Sequence, residues 1–393
     1  MKFDEIVDRK GSNSVKYDML KELYGRDDLC SMWVADMDFR CDESITKALM
    51  DYYSQGIYGY AIEPPELKSA IQGWLKDIQC WDVEKEWISF IPGIVKGISY
   101  VVEYFTRKGD KVLVQTPVYH PFMLVSEGLG RELVFNPLTD QMNIDFDNFE
   151  RVTDENDCKL FIFCNPHNPG GVVWSREDMV RLAEICHRKG IVVISDEIHA
   201  DLILWGDQHI PFASVSDKAQ EVSITFGAPS KTFNIPGLSS SFCVIPSDKL
   251  RKEFYHYLVV SESNNPKIDA SIGMITAFTK AREWRKAVMA YVEENIKITE
   301  KYFEVNFPLV KVRHPRASYL LWLDCRELLA ELARRKGVEA TQQLLIDYFV
   351  NEAHMALNSG EMFGRNGEGI GFMRMNIALP REVLMKALNL LKL

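Results

Sequence analysis

The residue best placed for covalent chemistry lies in the stretch 222–243, VSITFGAPSKTFNIPGLSSSFC. The β-branched run from Val222 to Phe226 predicts a buried strand. It breaks at Gly227, and Pro229 and Ser230 bring a single lysine, Lys231, to a turn at the strand end. A second polar-to-apolar run follows from Ser239 to Ile245. An ammonium between two buried segments is costly unless it is paired or converted. One conversion is a Schiff base with an aldehyde cofactor, for which a partly desolvated lysine is the nucleophile. The other reading is a lysine on an exposed turn, its head snorkelling to water.

The segments that must position Lys231 alternate between strand and helix. Residues 87–91 read as a strand running into Pro92-Gly93, with a helix from Ile94 to about Phe105. Strands follow at Lys111 to Gln115 and at Glu132 to Phe135. A third, Lys159 to Cys164, ends in NPHNPGG, and a fourth, Ile191 to Ser195, ends in Asp196. Apolar strands separated by helices indicate a mostly parallel α/β sheet, whose ligands sit beyond the carboxyl ends of the strands. Gly93, Tyr119, Asn165, Asp196 and Lys231 are therefore expected along one edge. From about 248 the pattern turns helical, with a long amphipathic stretch at about 281–304. Strands at Ser318 to Leu323 and Gly371 to Ile377 are expected beyond it. This predicts a large domain over 48–285 and a small α+β domain formed by 1–47 and 286–393.

A cofactor with an aldehyde, a phenolic oxygen, a ring nitrogen and a phosphate needs four kinds of partner. Lys231 can form the Schiff base, Asp196 can keep a ring nitrogen protonated, and Asn165 can donate to a phenolate. Tyr119 can lie on the ring, and the glycine turn before Ile94 is a generic anion site. Each has a plainer alternative: Asp196 as a helix cap, Asn165 as a turn residue, Tyr119 as core. The segment SMWVADMDFRC, with Trp33, Asp36 and Asp38, either closes a site or packs on the surface.

The 393 residues are 47% hydrophobic and 26% charged, a globular-enzyme profile. The net charge of −10 argues against nucleic-acid or basic membrane-surface binding. No apolar stretch approaches the roughly 20 residues of a membrane span. The acidic start without a signal-peptide core predicts a cytoplasmic protein. The eight cysteines form no CxxC pair; several lie within apolar runs and read as small buried hydrophobes, and no metal site is expected.

The motifs WVADMDF (33–39), YGY (58–60), PGIVKGI (92–98), TPVYHPF (116–122) and NPHNPGG (165–171) span most of the chain. SDEIHADL (195–202), APSKTFNIPGL (228–238) and GFMRMNIALPR (371–381) complete the set. Together they resemble the fold-type I pyridoxal-phosphate enzymes of aminotransferase class I/II, in particular the cystathionine β-lyase or C–S lyase branch. The resemblance implies a large domain with a mostly parallel seven-stranded sheet between helices, plus a smaller α+β domain.

Carried over motif by motif, it implies that Lys231 binds the cofactor and moves the substrate Cα proton. Asp196 holds the pyridine nitrogen, Asn165 the phenolate oxygen and Tyr119 the ring. The amides of Ile94 and Val95, with Ser230, hold the phosphate. Arg374 grips the substrate carboxylate, with Asn165 and Tyr119 lining the same side. Tyr60, or less well Tyr58, reaches the neighbouring subunit's site, which requires a homodimer with shared sites.

Two positions depart from the wider family. His199 stands where a tyrosine is usual and is left to the phenolate side or to packing. Ser239 replaces a phosphate-binding arginine, so amides and hydroxyls carry more of that load. The implied reaction is C–S β-elimination on L-cystathionine, on the route to methionine. An aminotransferase acting on aromatic or other amino acids is the alternative. The resemblance also carries the possibility of a regulatory protein partner.

Overall fold

The computed structural model describes residues 1–392, which divide into two compact units. One comprises Cys41–His167 and Val172–Arg285; the other comprises Met1–Arg40, Asn168–Gly171 and the chain from Lys286 onward.

Seven strands build the sheet of the larger unit: β1 Ile88–Ile91, β2 Lys111–Val114, β3 Glu132–Phe135, β4 Cys158–Cys164, β5 Val192–Asp196, β6 Ser223–Gly227 and β7 Ser241–Val244. Their spatial order is β1-β7-β6-β5-β4-β2-β3. Strands β2 to β6 pair in parallel. β7 runs antiparallel to both β6 and β1, so β1 shares the direction of the parallel set. Every strand except β7 therefore ends at the same edge.

Both faces of these apolar strands are covered, as a central parallel sheet requires. On β4, Leu160, Ile162 and Cys164 join one core with Ile98, Val101, Ile194, Ile224 and Phe226. The alternate residues Phe161 and Phe163 pack against Phe149, Trp174 and Phe212. Phe149 belongs to a helix, Phe146–Glu155, that the strand–helix reading skipped. Its Asp145 cap accepts a hydrogen bond from the Asn148 amide. The helix Ile94–Phe105 lies so close to β6 that a Cβ on Gly97 would come within 2.7 Å of the Phe226 ring. Gly93, its cap, adopts φ 116°, a conformation that favours glycine.

The smaller unit holds a four-stranded antiparallel sheet in the order Asn358–Ser359, Phe372–Asn376, Leu320–Asp324, Lys311–Val312. The N-terminal residues Cys30 and Ser31 pair in parallel with Met355 and Ala356. Within this unit an ion cluster fixes the segment 33–38. Lys16, with no exposed surface, has its Nζ 2.9 Å from Asp38 and 3.6 Å from Asp36. Arg9 reaches both carboxylates at 2.8 Å. Asn376 Nδ2 donates to the carbonyls of Val34 and Asp36, each at 2.6 Å, and the Tyr319 hydroxyl to that of Ala35 at 3.0 Å.

Candidate active site

In the larger unit the sheet register aligns Cys164 with Asp196 and Asp196 with Phe226, so the ends of β4, β5 and β6 stand side by side. Asn165 N–H donates to the Asp196 carbonyl, and Glu197 N–H to that of Phe226, both at 2.9 Å. The Asp196 side chain is buried, and burial pushes its carboxyl up from an ordinary 3.8 to about 7. A hydrogen bond from the Ile198 amide at 3.1 Å and the charge of Lys231 oppose the rise, while the neighbouring Glu197 adds to it. Lys231 is half-buried on the turn after β6, and Ser230 beside it is buried. The first bond of helix Ile94–Phe105 runs from Gly97 N–H to Gly93 C=O, so the amides of Ile94 and Val95 precede the ladder.

Tyr119 is half-buried, with its ring edge-on to His120 and Phe122 at 5.3 and 5.9 Å. His199 is buried in the loop after β5, where its carbonyl accepts from the Leu202 amide. Ser239 is exposed in a left-handed conformation, φ 52°. Tyr60 is fully exposed on a segment without regular structure, and Tyr58 donates its hydroxyl to the Tyr53 carbonyl.

Asn165 departs from its expected direction. Its amide nitrogen faces the Ile210 carbonyl at 3.1 Å, Glu197 Oε1 at 3.4 Å and Met179 Sδ at 3.6 Å. The side chain is buried and its donors are directed inward, which corrects its assignment to a phenolate oxygen or to substrate. Glu197 is the hub of that interior. It also accepts from Ser195 Oγ at 2.7 Å and the Phe212 amide at 2.9 Å, and it meets buried His209 at 2.7 Å.

In the smaller unit Arg374 lies buried on the strand Phe372–Asn376. Its Nη1 donates to Asn168 Oδ1 at 3.1 Å; its Nη2 donates to Asn358 Oδ1 at 2.6 Å and to the Trp33 carbonyl at 3.1 Å. Sequence reasoning missed Asn168, although it sits in the quoted NPHNPGG. The available signal was the proline after Asn165, which ends the strand and lets the second asparagine take a new direction.

The donor set fits pyridoxal phosphate. It offers one half-buried amine, a buried carboxyl in its field for the ring nitrogen, and, for phosphate, a glycine-capped helix start and the Ser230 hydroxyl adjoining the lysine in sequence. Among the described residues no cluster of His, Cys, Asp and Glu could hold a metal ion, and no helix is long and apolar enough to cross a membrane.

The sheet order, the strand-end lysine and the buried aspartate define a fold-type I enzyme. The chain belongs to the aminotransferase class I and II family, which matches residues 34–391. It is 40% identical to cystathionine β-lyase PatB of Bacillus subtilis over 100% of this chain and 99% of that one. It is 29% identical to protein MalY of Escherichia coli over 98% and 96% of the two chains. Among solved structures, the pyridoxal-phosphate-bound C–S lyase of Staphylococcus hominis superimposes with a TM-score of 0.89 at 32% identity, covering 99% of this chain and 96% of the other.

Proposed function

We propose that the chain is a carbon–sulfur β-lyase that converts L-cystathionine, and related S-substituted cysteines, with one water into a thiol such as homocysteine, pyruvate and ammonia. The enzyme is pyridoxal-phosphate-dependent. The observation that carries the reading is the buried Asp196 carboxyl in the field of Lys231 at the shared strand edge; the likeness to PatB, a cystathionine β-lyase, supports the reaction class. When bound, pyridoxal phosphate supplies an aldehyde for an amine and a ring that accepts the electron pair left at Cα.

The chain's residues then have separate jobs. Lys231 Nζ binds the cofactor and takes the substrate Cα proton, and Asp196 holds the proton on the ring nitrogen. Ile94, Val95 and Ser230 bind phosphate, Tyr119 covers the ring and His199 packs on its phenolate side. Arg374, a planar and always-charged fork, grips the substrate carboxylate. The phenolate role passes from Asn165 to Asn168, the asparagine that Arg374 engages.

The enzyme acts in the cytoplasm as a homodimer. The run of exposed apolar side chains Ile57, Tyr58, Tyr60 and Ile62 supports the pairing surface, and Tyr60 serves the partner's site. The test follows pyruvate and free thiol from L-cystathionine with no keto acid present. Steady amino-group transfer without pyruvate would overturn the reading.

A further inference from the structure

The turn that carries Lys231 is held by hydrogen bonds of its neighbours. Phe233 N–H donates to the Pro229 carbonyl at 2.9 Å and Ile235 N–H to that of Ser230 at 3.0 Å. Phe233 is buried among Trp74, Phe278 and Trp284, with ring centroids 5.4 to 6.3 Å away. Between this anchor and the lysine lies Thr232, which has no exposed surface. Its hydroxyl donates to Asp201 Oδ2 at 3.0 Å.

Asp201 is itself buried. Its other oxygen accepts from Gln79 Nε2 at 3.0 Å, and its carbonyl accepts from Arg285 Nε at 2.8 Å. It belongs to SDEIHADL, the motif that also carries Asp196, and has no part in the chemistry assigned so far. Burying a carboxylate against two neutral donors is an expensive way to staple a loop. What a carboxylate supplies there is an acceptor of one polarity, so the Thr232 hydroxyl has a single direction in which to donate. A β-branched side chain has few χ1 choices, so fixing its hydroxyl also restrains the backbone at its own Cα.

We propose that Asp201, acting through Thr232, is a positioning residue that sets the direction in which Lys231 presents its Nζ. This rests on the reading of Lys231 as the cofactor-binding lysine. The Asp201–Thr232 hydrogen bond joins the loop after Asp196 to the residue bonded to Lys231, so both partners of the cofactor are held to one frame.

The test uses holoenzyme of Thr232→Val, Thr232→Ser, Asp201→Asn and the double variant Thr232→Val/Asp201→Asn. The readouts are the midpoint of the pH titration of the visible cofactor band, kcat per bound cofactor, and melting temperature. Thr232→Val and Asp201→Asn are each expected to move the titration midpoint and to lower kcat about tenfold, the scale of a misoriented reacting group. The double variant is expected to be no worse than either single one. Thr232→Ser, which keeps the hydroxyl, is expected to restore both readouts.

A fall in melting temperature with the titration midpoint and kcat unmoved would overturn the proposal and leave Asp201 a structural staple. Should Thr232→Val not fold, Asp201→Asn decides on the same readouts. Borohydride labelling of a lysine other than Lys231 would instead remove the underlying reading, a separable outcome.

Discussion

Arg374 and Asn168 meet through one hydrogen bond, Nη1 to Oδ1 at 3.1 Å, while Asn358 and the Trp33 carbonyl hold the opposite nitrogen of the same guanidinium. The orientation of the arginine is thus set from three segments far apart in sequence. A lysine at 374 keeps the charge but cannot hold this fork. Arg374→Lys is expected to raise KM for L-cystathionine by roughly 10- to 100-fold, the scale of one charge-assisted hydrogen bond, with a smaller change in kcat. Asn168→Ala is expected to shift KM in the same direction by less. Steady-state kinetics with thiol detection measure both.

The raised carboxyl of Asp196 predicts a pH dependence of the cofactor-free protein. Between about 3.8 and about 7 the folded chain keeps a proton that the unfolded chain has released. The unfolded state therefore binds fewer protons, and stability falls as pH rises through that window. Above about 7 the penalty is complete, on the order of 4 kcal/mol as an upper figure. Asp196→Asn is expected to flatten the slope and to make the apoprotein more stable above pH 7, while activity is lost. Urea titrations of the two apoproteins across the window check this.

Lys16 supplies a stability prediction from the smaller unit. It has no exposed surface and sits between Asp38 and Asp36. Lys16→Met leaves Arg9 as the cation bonded to buried Asp38 and half-buried Asp36, and breaking a buried pair such as Lys16–Asp38 costs about 3–5 kcal/mol. The double variant Lys16→Met/Asp38→Leu is expected to be less destabilised than Lys16→Met alone. Chemical denaturation of the three proteins ranks them.

The fate of the substrate after Cα proton loss separates lyase from transaminase. L-Cystathionine alone is expected to give continuous pyruvate with the visible cofactor band retained. Conversion of that band to the pyridoxamine form, with one equivalent of keto acid and no thiol, would assign the transaminase alternative. Borohydride reduction followed by peptide mapping is expected to place the label on Lys231.

The alternating apolar runs made the sheet legible, because strands buried on both faces cannot be written otherwise: β4 and β5 were visible to within a residue or two. The reversed direction of β7 was not, since Ser241–Val244 reads the same either way and only its pairing with β6 and β1 sets its sense. Lys231 and Asp196 stood out because each is a charged group at the end of an apolar run. Asn165 was misread for the same reason. Its backbone completes the sheet by bonding Asp196, which directs its side chain inward, and Asn168 lies beyond the reach of a strand-end rule. The Asp201–Thr232 contact joins residues 31 positions apart, and no local pattern announces it.

The pairing of Cys30–Ser31 with Met355–Ala356 closes a loop of more than three hundred residues. During synthesis the first forty residues leave the ribosome long before their partner strand exists. Met32, Met37 and Phe39, all buried in the finished unit, must wait in water or in temporary contacts until the C-terminal region is made. The larger unit needs nothing beyond Arg285 to complete its sheet, so it can assemble first. A chain truncated before Met355 would keep that sheet and every residue here assigned to the cofactor, yet strand its own N-terminus as an apolar tail open to aggregation.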